Sequence, residues 1–146
     1  MKLVLVGRLA WKYEAFTKAL ETYKYRSDVI LTGYMGEKEL ALIMGSAYAL
    51  VYPSLFEGFG VPLIEAMHAD VPVISSSGTA MEEVAGEAAF YADPNDPSSI
   101  AEKMMLLYKD ETLRKKLIEK GRLRTERYSL NQTEELLWAC ILKAVG

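Results

Sequence analysis

The sequence predicts a single α/β domain with a Rossmann-like, doubly wound parallel sheet of about five strands and flanking helices. Short apolar runs alternate along the chain with longer segments of helical periodicity. The runs are almost continuously apolar, as expected for parallel strands that are buried on both faces. Each run ends at a glycine, a proline or a polar turn residue. This regular β-α-β alternation predicts right-handed crossovers between neighbouring strands.

Five apolar runs form the predicted strands. They have the length of strands in a compact sheet, and Pro72 lies early in its run, where a strand tolerates proline. The runs are Leu3–Val6, Val29–Thr32, Ala47–Tyr52, Val71–Ile74 and Ala88–Tyr91.

Helices are predicted between and after these strands. Apolar side chains recur at helical spacing in each segment, so each helix has one face for the core. Pro97, Asp110 and Asn131 are of the residue types that begin or cap helices. The last helix places Cys140 on its apolar face. The predicted helices cover residues 11 to about 25, 37–44 and 61–69, and the segments that follow Pro97, Asp110 and Asn131.

Composition excludes several functional classes. The 146 residues carry a formal net charge of −3, which argues against a general nucleic-acid binder. A single cysteine cannot form an internal disulfide, so a reducing, cytoplasmic location is expected. The apolar run at the start is too short for a secretory signal, and no run reaches the length of a membrane span.

One stretch, residues 53–67, combines the features of an anion-binding site. Gly58 and Gly60 lack a Cβ, so the backbone can bend and a ligand can come close. A proline just after them suits the first turn of a helix, and the N–H groups at such a helix start attract anions. Glu57 and Glu65 flank the loop with carboxylates that accept hydrogen bonds from hydroxyl groups. The pattern favours a phosphorylated sugar or a nucleotide as the ligand.

This glycine loop, residues 53–60, lies where a ligand site is expected in the predicted fold. In doubly wound sheets, ligands bind beyond the carboxyl ends of the strands. Three more loops follow predicted strands and are expected at the same edge: residues 7–8, 33–34 and 75–79.

These residues resemble a known family. The stretch 53–67 is similar to the Glu-x₇-Glu signature of glycosyltransferase family 4, whose members have the GT-B architecture. Further blocks agree in the same order, and the resemblance covers nearly the whole chain. These blocks are Leu31–Tyr34, Pro72–Ser75, Glu83–Ala89 and Asp93-Pro94.

The resemblance implies the C-terminal, donor-binding half of a retaining two-domain enzyme. Such an enzyme moves a hexosyl group from a nucleotide-diphosphate sugar, linked to uridine or guanosine, with retention at the anomeric carbon. A saccharide or lipid-linked acceptor would bind through a separate N-terminal domain. The resemblance implies no cofactor and no metal ion. It further implies polysaccharide biosynthesis in the cytoplasm, with peripheral contact at the inner face of the membrane.

The functional residues of the family carry over by position. Glu57 would contact a hydroxyl of the donor sugar as the catalytic carboxylate, and Glu65 would hold the ribose hydroxyls. Tyr34 and Met35 would lie beside the base. Backbone amides of the glycine loop and the following helix would line the sugar and the diphosphate. The residues in this last role are Gly58, Phe59, Gly60, Val61 and Leu63.

The start of the chain departs from the family pattern. The family's first strand ends in Gly-Arg with a lysine shortly after, and these two cations clamp the diphosphate. Arg8 and Lys12 fit that pattern and are candidate phosphate contacts. Gly7 is nevertheless too close to Glu57, so the first run better matches the second strand block. The domain, residues 1–146, would then lack its first β-α unit as well as the acceptor domain.

A missing first strand has a structural consequence, because that strand is central in a sheet of this type. Its absence would leave two unpaired edges, which are costly. We expect one of three outcomes: the sheet closes up, another chain fills the gap, as in a dimer, or the match of the first run to the second strand block is wrong.

Alternative functions remain open. One is a non-catalytic nucleotide-binding α/β domain, such as a receiver, although Gly7-Arg8 stands where a receiver needs an acidic residue. Another is a nucleotide-sugar epimerase or phosphorylase on the same architecture. A glycosidase would use paired acids around a sugar but needs no anion loop.

Other conspicuous residues are interpreted as structural. His68, the one histidine, is expected at the end of a helix, and Trp11 is expected in the core. Tyr52 is expected to pack in the core or at its rim. The basic segment 114–127 is interpreted as a solvated helix surface rather than a lipid-binding one. Asp70 replaces a glycine of the family, and we expect a left-handed turn there to tolerate it.

Overall fold

A computed structural model describes residues 1–10 and 12–145 of the chain. Trp11, which the sequence assigns to the core, lies outside the described residues. Contacts divide the chain into two compact units, Met1–Leu42 and Ile43–Gly146.

The first unit contains a two-stranded parallel sheet. Strand β1 (Leu3–Val6) pairs with β2 (Val29–Gly33), and Leu3 lies opposite Val29. Helix α1 (Glu14–Glu21) and a 3₁₀ turn connect the two strands. The parallel pairing and the helical crossover agree with the predicted β-α-β unit.

The second unit contains a three-stranded parallel sheet in the order β3-β4-β5. The strands are β3 (Leu50–Tyr52), β4 (Val73–Ser76) and β5 (Ala89–Ala92). Helix α2 precedes β3, α3 and α4 form the two crossovers, and α5 to α7 follow β5. Their bounds are Glu37–Ser46, Val61–His68, Ala80–Ala85, Pro97–Lys109, Glu111–Thr125 and Leu130–Val145.

Helices cover both faces of this second sheet. Consecutive residues of a strand point to opposite faces, so Val73 and Ile74 of β4 enter different cores. Val73 packs in a cluster with Leu63 of α3 and Met81 of α4. Ile74 packs on the other face with side chains of α5 and α6. Every residue of β4 is buried, which confirms the doubly wound arrangement for this unit.

The expectation that all strands are buried on both faces is wrong for the first unit. Leu3, Val4 and Val6 of β1 are 44%, 38% and 41% exposed, and Ile30 of β2 is 44% exposed. Among the described residues, β1 pairs with β2 alone, and α1 buries only Leu20. A two-stranded sheet with one short helix has too little material to cover its apolar faces.

Helix boundaries show which local signals were sufficient. Asp110 caps α6 as predicted, because its side chain accepts a hydrogen bond from the Leu113 N–H at 2.9 Å. The cap predicted at Asn131 is wrong. Ser129 has that role instead, since its Oγ accepts from the Gln132 N–H at 3.3 Å and α7 already begins at Leu130. Helix α1 is shorter than predicted, and α4 lies in a segment where no helix was predicted.

The apolar face predicted for the last helix is exposed. Cys140 is exposed, and large apolar side chains around it are exposed as well, including Trp138 at 60% and Leu136 at 63%. The reason is that α7 packs mainly on the 3₁₀ turn Glu126–Tyr128 within the described chain. The core position predicted for Cys140 is therefore wrong.

Basic residues of α6 attach this helix to the rest of the second unit. Arg122 forms two hydrogen bonds of 2.6 Å with the carboxylate of Asp70. Lys120 pairs with Glu87 at 2.7 Å, and Arg124 donates to the carbonyl oxygen of Val84 at 2.7 Å. Much of the basic segment therefore serves internal contacts.

Asp70 adopts the left-handed conformation expected of it, with φ of 58°. The hydrogen bonds from Arg122 and the charge of that guanidinium hold the pKa of Asp70 below its usual 3.8. A lowered carboxyl pKa contributes stability above the unfolded value, and this contribution is lost as the pH falls through the folded value. The pair is exposed, so we expect a small effect.

We therefore expect Asp70→Asn to lower the melting temperature by a few degrees at most near pH 7, and this deficit should shrink as the pH falls below 3.8. Asparagine tolerates the left-handed backbone, so the change isolates the charge. Thermal melts across this pH range provide the measurement, and Glu135→Gln on the exposed α7 is the matched control. A deficit that stayed constant with pH would contradict the ion-pair explanation.

Candidate functional site

The glycine loop lies between the end of β3 and the start of α3, at the carboxyl edge of the second sheet, as predicted. Gly60 is the N-cap residue of α3, and Pro62 lies in its first turn. No side chain caps this helix start. Pro62 has no N–H, and the Leu63 N–H donates to the Gly60 carbonyl oxygen at 3.0 Å. This helix start therefore offers an anionic group the positive end of the helix dipole and the N–H of Val61.

Gly60 is required by both conformation and space. Its φ is +96°, which residues with a Cβ rarely adopt. A Cβ at this position would lie 3.0 Å from Cγ of Met81, a side chain of the core. A Cβ on Gly58 would meet nothing within 4 Å, and this residue has no left-handed φ. The two glycines therefore differ: Gly60 fixes the turn into α3, whereas Gly58 leaves open space.

The carboxylate of Glu57 is held from the end of β3. The hydroxyl of Tyr52 donates to Oε1 of Glu57 at 2.8 Å, and Glu57 is half-buried. Ser54 Oγ donates to the Phe56 carbonyl oxygen at 3.1 Å and tightens the same loop. The candidate catalytic residue is thus hydrogen-bonded to its own scaffold.

Aromatic contacts support the other side of the loop. The ring of Phe59 packs edge-on against Tyr128 with 5.7 Å between centroids. The hydroxyl of Tyr128 donates to the carbonyl oxygen of Val84 at 3.0 Å, which attaches the pair to α4. Phe56 is 86% exposed and makes no comparable ring contact among the described residues.

Glu65 lies on the open side of α3. Val61, Glu65 and His68 are exposed and follow i, i+4, i+7 spacing, so they share one helix face. Leu63 and Ala66 are fully buried on the opposite side. The structure records no hydrogen bond or ion pair for the Glu65 carboxylate within the described chain. His68 lies in the last turn of α3 and faces solvent, as expected.

The other predicted site residues lie in the first unit. The guanidinium of Arg8 lies 4.8 Å from the ring centroid of Tyr34, a cation–π contact. The N–H of Gly7 donates to the Gly33 carbonyl oxygen at 3.0 Å, which joins the two strand-end loops. Tyr34 is 71% exposed and Met35 is half-buried. Lys12 is exposed and has a φ of 51°.

A cavity of about 560 Å³ lies beside these loops in the first unit. Most of its lining is apolar, and Arg8 contributes the charged group. The lining residues are Leu5, Val6, Gly7, Arg8, Leu9, Phe16, Leu31 and Gly33. The structure thus brings Arg8 and Tyr34 together within the first unit, and it brings Glu57, Glu65 and the glycine loop together within the second.

Sequence reasoning missed the roles of Tyr52 and Tyr128. Tyr52 was expected only to pack, whereas its hydroxyl contacts Glu57 directly. No role was predicted for Tyr128. One signal was available: Tyr52 ends an apolar strand with a polar tip, five positions before the carboxylate that it binds. The contact between Phe59 and Tyr128 spans most of the second unit in sequence, so no local pattern indicates it.

Comparison with known proteins decides the family. The model of the family "Glycosyl transferases group 1" matches residues 1–124. The chain belongs to this family. The resemblance seen in the sequence is thereby confirmed, and the epimerase, phosphorylase and non-catalytic alternatives are not favoured.

Individual relatives agree with this assignment. The chain is 32% identical over 127 residues to the O-antigen chain mannosyltransferase B of Escherichia coli, covering 87% of this chain and 33% of that protein. It therefore spans about a third of the length of this relative. Proteins named glycosyltransferases or mannosyltransferases, with roles in O-antigen or capsular polysaccharide formation, recur among the relatives.

Solved structures share the fold. The C-terminal domain of a glycosyl transferase group 1 family protein (LpcC) from Francisella tularensis has a TM-score of 0.76 and 26% identity, covering 88% of this chain and 70% of that one. The Anabaena protein HepE, solved in complex with UDP, has a TM-score of 0.84 at 16% identity, covering 98% of this chain and 41% of that one. The predicted fold, the C-terminal half of a GT-B enzyme, is confirmed.

Two kinds of feature, a membrane-spanning helix and a metal-binding cluster, are not found in the described part of the chain. Among the described residues, no helix has the length and apolar character needed to cross a membrane. Within the same part of the chain, no three side chains of histidine, cysteine, aspartate or glutamate cluster in a way that could hold a metal ion.

We expect Gly60→Ala to lower the free energy of unfolding by about 1–2 kcal/mol from the left-handed backbone alone, with a further loss from the contact with Met81. Gly58→Ala is the matched control, and we expect it to leave stability within about 0.5 kcal/mol. Urea unfolding of both variants provides the measurement. Equal stabilities for the two variants would show that Gly60 does not fix this turn.

Proposed function

We propose that this chain is the donor-binding half of a retaining glycosyltransferase that moves a hexosyl group from a nucleotide-diphosphate sugar to an acceptor. The observation that carries the proposal is the uncapped start of α3, preceded by the glycine loop and flanked by Glu57 and Glu65. Family membership supports the same conclusion.

The proposed roles follow from the chemistry of the groups. The leaving group is a nucleoside diphosphate, so negative charge builds on phosphate as the glycosidic bond breaks. N–H groups and the helix dipole at the start of α3 stabilise that charge without moving. A carboxylate such as Glu65 accepts charge-assisted hydrogen bonds from the two ribose hydroxyls. Glu57 would accept a hydrogen bond from a hydroxyl of the donor sugar.

The finer points of the donor remain part of the proposal. We propose a donor linked to guanosine or uridine, and a mannosyl group is favoured because the E. coli relative is a mannosyltransferase. The UDP complex of HepE supports a nucleotide in this fold. We propose transfer without a metal ion, with N–H groups and cations as the source of positive charge. Arg8 and Lys12 for the phosphates, and Tyr34 and Met35 for the base, stay predictions.

The acceptor and the location are proposed as well. We propose a saccharide or lipid-linked acceptor, bound by an N-terminal domain, and a reaction in the cytoplasm. The many basic residues of α6 suggest contact with an anionic membrane face, but several of them already pair within the protein. Arg114 pairs with Glu111 at 3.2 Å, and Lys120, Arg122 and Arg124 have partners within the second unit.

The ribose role of Glu65 predicts a specific loss of affinity. Glu65→Ala should weaken binding of GDP or UDP on the order of tenfold to a hundredfold, because a hydrogen bond to a charged group contributes about 1.5–3 kcal/mol. Ligand-observed NMR on the 146-residue chain measures this effect. Glu134→Ala, which removes an exposed carboxylate on α7, should leave the affinity unchanged.

Deoxyribose nucleotides test whether Glu65 binds the ribose hydroxyls themselves. The 2′-deoxy forms of GDP and UDP lack one of the two hydroxyls, so they should lose affinity for the unsubstituted chain but not for Glu65→Ala. If Glu65→Ala bound ribose and deoxyribose nucleotides with the same preference as the parent chain, the ribose assignment would be wrong. Absence of nucleotide binding by the parent chain would overturn the proposed function.

We further propose that additional polypeptide covers the exposed apolar faces of β1 and β2 in the complete enzyme. We propose a first β-α unit and an acceptor domain as this cover, and the short span of the chain relative to the E. coli relative supports this. A dimer, in which a second copy supplies the cover, is the alternative.

Amide hydrogen exchange tests this cover. In the 146-residue chain, amides of β1 should exchange much faster than those of the buried β4. Fusion of the first β-α unit of the E. coli relative before Met1 should slow exchange in β1 and leave β4 unchanged. Sedimentation measurements separate the dimer from the monomer. A monomeric chain in which β1 is already as protected as β4 would contradict the proposal.

A further inference from the structure

Tyr52 occupies a fixed place at the end of β3. Its backbone belongs to the strand, in register with Ser75 of β4, and its carbonyl oxygen accepts from Ser75 Oγ at 3.4 Å. Its ring packs against the core cluster that contains Leu63 and Met81. The hydroxyl therefore projects from a side chain whose backbone and ring are both held, and it reaches Glu57 Oε1 at 2.8 Å.

We propose that Tyr52 is a positioning residue that fixes the carboxylate of Glu57 toward the donor sugar. The inference rests on the proposed function, in which Glu57 contacts a sugar hydroxyl. Oε1 accepts from the tyrosine hydroxyl, and Oε2 has no recorded hydrogen bond within the described chain, so we assign Oε2 as the acceptor from the sugar.

The physical gain is preorganisation. A glutamate side chain has three rotatable bonds, and ordering it on binding costs conformational entropy. The Glu57 side chain is only half-buried, and the hydrogen bond recorded for its carboxylate within the described residues is the one from Tyr52. A hydrogen bond from a rigid aromatic side chain orders the carboxylate before the ligand binds, so less entropy is lost on binding. The ordered carboxylate also favours the geometry required for transfer.

The tyrosine keeps its proton over the working pH range. Burial, followed by the hydrogen bond to Glu57 and the charge of Glu57, raises the pKa of Tyr52 above its usual 10.0. The hydroxyl therefore stays a donor at neutral and moderately alkaline pH. Replacing Glu57 by glutamine removes the charge, so the pKa of Tyr52 should fall toward its usual value in that variant.

The test compares ligands with and without a sugar. Tyr52→Phe should weaken binding of GDP-mannose or UDP-glucose about threefold to tenfold, because the ordering of Glu57 is lost, and leave binding of GDP and UDP unchanged. Tyr48→Phe is the matched control, because it removes a hydroxyl that donates to the Leu107 carbonyl oxygen at 3.2 Å, on the other face of the same sheet. It should leave both ligand classes unchanged.

Two further variants, Glu57→Gln and the double variant Tyr52→Phe/Glu57→Gln, distinguish failure of the positioning role of Tyr52 from failure of the proposed function. If Glu57→Gln weakens binding of the nucleotide sugar and Tyr52→Phe has no further effect in its presence, the two residues act as one unit and the inference holds. If Glu57→Gln weakens binding and Tyr52→Phe alone does not, the inference is overturned while the proposed function stands. If Glu57→Gln has no effect, the catalytic role of Glu57 is overturned, and the inference with it.

A ligand-free readout completes the test. An NMR or ultraviolet pH titration should give a raised tyrosine pKa in the parent chain that falls in Glu57→Gln. An unchanged tyrosine pKa would overturn the contact between the two side chains. Equal weakening of GDP and GDP-mannose by Tyr52→Phe would indicate a general loss of structure and would also overturn a positioning role.

Discussion

Complete burial of β4 is the constraint on which the second unit depends. Four consecutive residues of this strand are inaccessible to solvent, so both of its faces need cover. Val73 and Ile74 point to opposite sides of the sheet, and each packs against apolar side chains there. Burial of each such side chain contributes about 1.5–3 kcal/mol to the free energy of unfolding. Helices α3 and α4 supply one cover, and α5 and α6 supply the other. The crossover that carries α3 therefore has to turn sharply after β3, and the glycine loop is that turn.

The same packing places the loop for binding. Gly60 approaches Met81 so closely that an added methyl group would force the Met81 side chain to shift, and the left-handed backbone there starts α3 without a capping side chain. The interior of the unit thus determines where the N–H groups of the helix start point. A binding feature at the surface follows from a contact in the core, since the residues that fix the turn face inward while those available to a ligand face outward.

Local signals predicted much of this arrangement. Apolar runs, glycine and proline positions and the cap at Asp110 depend on a few neighbouring residues, so the five strands and the start of α3 could be predicted. Burial could not. The more apolar strand is the more exposed one: β1 consists of four apolar residues, whereas two of the four in β4 are serines. The difference arises because β4 has helices on both faces while β1 lies in a sheet with a single short helix. Asn131 and Ser129 are equally good cap types, and the 3₁₀ turn that ends at Tyr128 decides between them.

The two candidate carboxylates differ in burial and in hydrogen bonding, which the residue type alone does not indicate. Glu57 is half-buried and hydrogen-bonded to a rigid tyrosine, whereas Glu65 is exposed on a helix face. In the proposed site, a group that contacts the reacting sugar must keep its geometry as the bond breaks, because misplacement there lowers the rate directly. A group that holds a ribose needs no such restraint, since the rigid pair of ribose hydroxyls orients the carboxylate by itself. Glu57, which is held in place, therefore suits contact with the reacting sugar, whereas Glu65, which is not, suits binding of the ribose.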